Sequence, residues 1–184
     1  MPHYTSTLQR TISLIKRLFR NIRGVAAIEF ALIALPFFGI IGATLEVGLL
    51  FLTEESLDQA FAQASRTIRV GGTTSGNPVA QQTEFVQRVC ASTHLVNCDG
   101  LRARAMVVRT NTSIIPELPE PDANGNLPEA TELQFDQGGP GDIIVLQLFY
   151  MHPLFFHRLG IGLGYKGLPR HYMAFATAFR NEFF

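Results

Sequence analysis

One apolar stretch constrains this chain more than any other feature. Between Glu29 and Glu46 lie sixteen consecutive uncharged residues, and the hydrophobic character extends on both sides, from Val25 to Leu52. Sixteen residues are slightly fewer than the roughly 17–25 that a bilayer-spanning helix needs, whereas 25–52 is ample. The sequence therefore predicts one transmembrane helix over residues 25–52.

Two other structures can produce such a stretch, a cleavable secretory signal and a buried helix of a soluble protein. A secretory signal fits poorly, because the apolar part runs too long and no small-residue cleavage site with a polar exit follows it. A buried helix also fits poorly, because Gly, Phe and Leu are distributed over all faces. A membrane anchor remains the favoured interpretation.

The charges are distributed unevenly, although the formal net charge is zero. Residues 1–24 contain five basic side chains and no acid, so the remainder holds ten Lys/Arg against fifteen Asp/Glu. A basic segment before an apolar helix predicts a cytoplasmic N-terminus and a C-terminal domain on the other side of the membrane. The basic residues alternate with apolar ones, which favours contact with membrane lipid over a nucleic-acid arm. No nucleic-acid partner is expected.

Beyond Leu52 the helix is predicted to leave the bilayer and continue as an amphipathic stem over residues 53–72. Five apolar residues recur there at helical spacing: Leu57, Ala60, Phe61, Ala64 and Ile68. The helix should reach about Val70, where Gly71–Gly72 ends it as a glycine C-cap. Within the membrane half, Pro36 predicts a kink or a local loss of hydrogen bonding.

The junction between the basic leader, residues 1–24, and the apolar helix resembles the processing site of type IV prepilins. It has a glycine that closes the leader, an apolar run and a glutamate at the fifth position beyond, Gly24 through Glu29. The resemblance implies that a prepilin peptidase cuts between Gly24 and Val25. Glu29 would then attract the freed α-amino group of a neighbouring subunit, since an acid at the edge of hydrocarbon is a functional candidate by default. The alternative to this pairing is that Glu29 lies at the level of the lipid headgroups and its side chain simply extends into water.

The wider segment resembles the TadE-like family of the tight-adherence (Tad/Flp) secretion system. That family has the opening Gly-x-Ala-[Ala/Val]-[Ile/Val]-Glu-Phe-Ala, a later proline, a second glutamate in the apolar run and a following Leu…Ala…Ala-x-Arg pattern. The matching residues are Gly24, Ala26, Ala27, Ile28, Glu29, Phe30, Ala31, Pro36, Glu46, Leu57, Ala60, Ala64 and Arg66. Residues 141–150 and 179–183 resemble the family more weakly.

Because the major pilin of that system is very short after processing and this chain carries an extra domain, the resemblance implies a minor pilin or pseudopilin. Its expected partners are other pilins or pseudopilins, the prepilin peptidase and the inner-membrane platform protein. Its expected location is the bacterial inner membrane, with a periplasmic C-terminal domain and the capacity to enter an extracellular pilus. Some relatives keep their anchor uncut. The alternative is therefore an uncleaved single-pass protein whose periplasmic domain binds an envelope partner.

Residues 73–184 predict an α+β domain in which the stem helix packs on a small antiparallel sheet. Asn77-Pro78 should begin a second helix, as an N-cap followed by proline at the first helical position. Three strands are expected, at 101–110, 142–150 and 170–180, with the second in the centre because it is continuously apolar. The segment 111–141 is predicted to be a long loop, either mobile or used for contact.

The two cysteines, Cys90 and Cys98, fall in the part predicted to be translocated. An oxidising compartment permits a disulfide between them, which we favour over free thiols because no zinc-binding spacing is present.

No catalytic motif, cofactor or metal site is predicted. His94, His152, His157 and His171 are scattered without ligand spacing, and the glycines between 160 and 167 lack the helix that a phosphate-binding loop requires. An enzyme tethered to the membrane is the least favoured of the functions considered.

Overall fold

The structure is a computed structural model that describes residues 24–71, 76–93, 95–108, 117–159 and 162–182. The basic leader up to residue 23, Gly72 and His94 lie outside these residues, as do the start of the predicted loop and the last two residues. The chain divides into two compact units, Met1–Thr44 and Leu45–Phe184.

The longest element is helix α1, Val25–Arg69, one residue shorter than predicted. Its apolar part is exposed: Phe30, Leu32 and Leu35 each leave more than two-thirds of their surface uncovered. By length and composition this helix can cross a membrane. Such exposure is unfavourable in water and normal in lipid.

Helix α1 ends at a glycine, as predicted. The N–H of Gly71 donates to the carbonyl of Ile68 at 3.0 Å, and Gly71 has a φ of 72°. This left-handed conformation favours glycine, which has no Cβ to clash with the backbone. Arg66 and Arg69 lie in the last turn, where positive charge complements the helix dipole.

The stem part of α1 supplies one side of the core of residues 45–184. Its five predicted apolar residues, Leu57, Ala60, Phe61, Ala64 and Ile68, are all buried. The ring of Phe61 lies edge-on to Phe85, with centroids 6.1 Å apart, and 6.3 Å from Phe175. Burying one such side chain fully contributes about 1.5–3 kcal/mol.

Helix α2, Pro78–Ala91, begins as its sequence predicts. The side chain of Asn77 accepts a hydrogen bond from the N–H of Val79 at 3.0 Å, and Pro78 occupies the first helical position. Phe85 and Val89 of α2 are buried in the core. Gln82, also buried, donates from Nε2 to the carbonyl of Ala103 and so ties α2 to the sheet.

The sheet has three antiparallel strands in the order β1 (Arg102–Val108), β2 (Ile143–Pro153) and β3 (Arg170–Arg180). The central position of β2 is confirmed, and β2 extends three residues beyond the predicted end because its pairing with β3 continues to Arg170. One face packs on the helices through four buried residues of β2: Ile144, Leu146, Leu148 and Tyr150. The fold is α+β with a pilin-like arrangement of a long N-terminal helix and a small sheet.

The described part of the predicted loop, from Glu117 onward, contacts the sheet. Tyr172 donates its hydroxyl to the carbonyl of Pro119 at 3.0 Å, and Arg102 donates from Nε to the carbonyl of Pro128 at 3.2 Å. Phe135 is buried and forms an isolated parallel bridge with Ala105. In this part the segment is therefore a structural layer on the outer face and edge of the sheet.

Candidate functional site

The predicted processing junction coincides with the start of α1. Gly24 immediately precedes Val25, the first residue of the helix, and both are exposed. No described atom outside its immediate chain neighbours lies within 4 Å of the position where a Cβ on Gly24 would stand. Packing within the described chain therefore does not require glycine at this position.

Glu29 follows Val25 by four residues, so the two lie on the same face of α1. It is exposed, and its neighbours Ile28 and Phe30 leave 49% and 71% of their surface uncovered. Among the described residues, neither a hydrogen bond nor an ion pair involves the Glu29 carboxylate. Its charge is thus available to a group from another molecule.

Helix α1 passes through Pro36 without interruption. Proline has no N–H, so the carbonyl of Leu32, four residues earlier, lacks its usual helical donor. Leu32 and Leu35 are among the most exposed side chains of α1. The local loss of a hydrogen bond that Pro36 predicts therefore falls in the apolar, exposed part of the helix.

A second acid on α1, Glu46, has the opposite environment. It is only 3% exposed, and its carboxylate accepts hydrogen bonds from the backbone N–H groups of Phe155 and Phe156, the latter at 2.9 Å. These two residues form a turn directly after β2. Backbone donors to a carboxylate are charge-assisted hydrogen bonds, and they offset the desolvation of the buried charge.

The sequence singles out Glu46 only as the second glutamate of the TadE-like pattern, and gives no sign of its partners. Those partners are backbone groups more than 100 residues further along the chain. A buried carboxylate in an apolar helix must receive hydrogen bonds from some donor. The local sequence does not indicate which segment of the chain provides that donor.

A cavity of about 310 Å³ adjoins Glu46 and the turn after β2, with Leu154, Phe156 and His157 in its lining. His152 lies nearby on β2, opposite His171 of β3. Burial, and secondarily repulsion from His171, lowers the pKa of His152, while Glu46 acts in the other direction. His152 is therefore neutral at pH 7, and its Nδ1 atom has no hydrogen-bond partner among the described residues.

The two cysteines are joined as a disulfide with Cα atoms 5.8 Å apart. Cys90 lies at the end of α2, and Cys98 begins a short 3₁₀ turn before β1. The bond closes the connection between α2 and the sheet, which Tyr150 also holds by accepting a hydrogen bond from the N–H of Asn97 at 3.3 Å. Its position indicates a structural function.

The predicted site residues thus fall into two groups. Gly24, Val25 and Glu29 occupy the first turns of α1, with Pro36 two turns further on, whereas Cys90 and Cys98 belong to residues 45–184. In the part of the chain that the structure describes, no group of three or more His, Cys, Asp or Glu side chains is arranged to hold a metal ion.

Comparison with known proteins gave a match, which covers the segment that contains the first group. Residues 24–66 match the family model described as TadE-like protein. The resemblance seen in the sequence is therefore confirmed over this segment, which includes Gly24, Glu29, Pro36 and Glu46. Searches of curated proteins and of solved structures gave no match.

Proposed function

We propose that this chain, whose residues 24–66 are TadE-like, is a minor pilin or pseudopilin that takes part in assembly of a tight-adherence (Flp) pilus. In this proposal a prepilin peptidase removes residues 1–24, and the mature protein begins at Val25. The TadE-like match supports a connection with the Tad pilus system. The processing and the minor-pilin role are inferences from the residues at the junction.

The observation that carries the proposal is the arrangement at the start of α1. Cleavage after Gly24 would leave a free ammonium group on Val25, the first residue of the helix. There it would adjoin the positive end of the helix dipole, so a nearby carboxylate would stabilise it. Glu29 is an exposed carboxylate in an apolar surrounding, with no partner among the described residues.

Glu29 of one subunit can meet the amino group of the next only if the two helices lie side by side at a fixed offset. An ion pair in an apolar environment is sensitive to that offset, because breaking it leaves an uncompensated charge. The pair would therefore set the register between subunits. Apolar packing along α1 would supply most of the contact area, since residues such as Phe37 and Ile40 are exposed.

The membrane part of the proposal follows from the same helix. Helix α1 can span a bilayer, and under the positive-inside rule the basic leader supports a cytoplasmic N-terminus. The domain that follows would be periplasmic, and the cleaved subunit could pass from the inner membrane into a pilus. Other pilins or pseudopilins, the inner-membrane platform protein, the peptidase and membrane lipid are the partners this requires.

The direct test is the N-terminus of the mature protein. Intact mass and N-terminal sequencing of the protein from cells with and without the peptidase should show a chain beginning at Val25 only where the peptidase is present. A protein that begins at Met1 in both cells contradicts the proposal. It would favour an uncleaved single-pass protein with a periplasmic binding domain.

Glycine variants make this test specific. Gly24→Ala should abolish or strongly reduce cleavage, because a methyl group would crowd the peptidase cleft. Gly39→Ala and Gly48→Ala are matched controls on the same helix, since an added Cβ there also meets no described atom within 4 Å. They should be processed normally. Normal processing of Gly24→Ala would contradict the proposed recognition.

A further inference from the structure

The turn after β2 presents two phenylalanines on the surface of residues 45–184. Phe155 and Phe156 leave 72% and 42% of their surface uncovered. Their backbone is held in place nonetheless, because both N–H groups donate to Glu46 and the preceding Leu154 is buried and donates to the carbonyl of Pro169 at 3.0 Å. The turn therefore has an ordered backbone and presents two exposed apolar side chains.

The part of α1 beside this turn is also apolar on its exposed side. Leu45, Leu49 and Leu52 leave between 44% and 62% of their surface uncovered. Beyond Glu46, the first exposed acid on α1 is Glu54, about two helical turns further along. The hydrogen bonds to Glu46 therefore attach the Phe155–Phe156 turn to the part of α1 whose exposed surface is apolar. The charged part of the stem begins further along the helix.

The residues that follow the turn have the opposite character. His157 and Arg158 are both exposed, and no acid occurs between Leu154 and Arg158. Aromatic side chains with adjacent basic groups are typical of the boundary between acyl chains and headgroups, where rings enter the apolar region and cations meet phosphate. A water-facing loop has no comparable reason to expose two phenylalanines together.

We propose that the Phe155–Phe156 turn inserts into the periplasmic leaflet of the membrane beside α1, with Arg158 at the level of the lipid phosphates. The inference rests on the membrane anchoring in the proposed function. Glu46 fixes the turn to the helix, so the domain contacts the bilayer at a defined point in addition to the spanning segment. The inserted turn holds the domain against the bilayer while the helix remains in it.

The chain contains no tryptophan, so a single tryptophan introduced at this turn reports its surroundings without background. The full chain with Phe155→Trp is reconstituted in nanodiscs of phosphatidylethanolamine and phosphatidylglycerol whose acyl chains carry bromine, a short-range quencher. The substitution keeps an aromatic ring and leaves the backbone N–H that donates to Glu46. We expect emission at least about twofold weaker than in unbrominated lipid.

Two further variants make the result decisive. Ile143 lies at the opposite end of β2 and is also an exposed apolar residue, with 47% of its surface uncovered. The emission of Ile143→Trp should not be quenched by the brominated lipid. Phe38→Trp lies in the apolar part of α1 and should be quenched if the helix spans the bilayer.

If Phe38→Trp is quenched and Phe155→Trp behaves like Ile143→Trp, the insertion is wrong while the anchor stands. If neither Phe38→Trp nor Phe155→Trp is quenched, the anchoring and the insertion both fail. A Phe155→Trp emission that aqueous iodide quenches, and brominated lipid does not, likewise contradicts the proposal.

Discussion

Glu29 and Glu46 are both acids in the apolar part of α1, and they differ in everything that surrounds them. Glu29 is exposed with no partner among the described residues, and Glu46 is buried with two backbone donors. A carboxylate satisfied within its own chain stabilises the fold. One left unsatisfied in an apolar environment is suited to a group on another chain. The comparison thus indicates a role in folding for Glu46, and it leaves Glu29 available for the assembly contact that we propose.

The largest expected effect is the loss of pili in Glu29→Gln. The amide cannot pair with the ammonium group of a neighbouring Val25, so the variant should be cleaved normally and yet form few or no pili. Pili sheared from cells and counted by electron microscopy, together with N-terminal sequencing, measure the two outcomes separately. Because Glu29 is exposed, the free energy of unfolding of residues 45–184 should not change.

Normal piliation of Glu29→Gln would remove the pairing mechanism and leave the TadE-like match intact. Glu54→Gln is the matched control, an exposed acid on the same helix in the stem. It should leave both cleavage and pili unchanged.

Replacing Glu46 should have the reverse effect. Glu46→Ala leaves the N–H groups of Phe155 and Phe156 without their acceptor, and we expect it to lower the free energy of unfolding by about 3 kcal/mol. Glu46→Gln keeps one acceptor oxygen and should lose less. Urea denaturation of the detergent-solubilised protein measures this change, with the unfolded fraction detected at each urea concentration by its susceptibility to proteolysis.

For the Glu46 variants, Glu54→Ala serves as the control and should be nearly neutral, since surface substitutions usually change stability by less than about 0.5 kcal/mol. If Glu46→Ala also leaves the free energy of unfolding unchanged, Glu46 does not differ from Glu29 in its contribution to stability. The turn after β2 would then not depend on Glu46.

The disulfide sharpens the comparison, because it belongs to the same unit as Glu46. Replacing both cysteines, Cys90→Ser with Cys98→Ser, should lower the free energy of unfolding by about 2–3 kcal/mol, since so short a loop is released in the unfolded chain. Cleavage after Gly24 should be unaffected. A reductant should destabilise the parent protein and leave the double variant unchanged; a parent that is insensitive to reductant contradicts the prediction.

The elements that the sequence predicts correctly are those with local signals. The face of the stem follows from helical spacing of Leu57 through Ile68, the start of α2 from Asn77-Pro78, and the bounds of β3 agree with the predicted 170–180. A repeating apolar pattern or a capping residue specifies the local backbone by itself, whatever the rest of the chain does.

What the sequence could not supply are contacts between distant segments. Phe135 is an isolated apolar residue in a Pro- and Gly-rich segment, yet it reaches the core by pairing with Ala105. Glu46 likewise depends on a turn that is remote in sequence. In both cases the tertiary fold determines the partner, and the residues around Phe135 and Glu46 contain no local pattern that identifies this partner.

The smallest expected effect is a pH dependence centred on His152, which lies in the same unit as Glu46. Burial lowers the pKa of His152 below its ordinary value of 6.5. The unfolded chain therefore binds more protons than the folded one as the pH falls below about 6.5, and stability should decrease from about pH 7 to pH 5. His152→Gln should flatten this slope, whereas His157→Gln, at an exposed position, should keep it. An unchanged slope in His152→Gln would contradict the assignment of this pH dependence to His152.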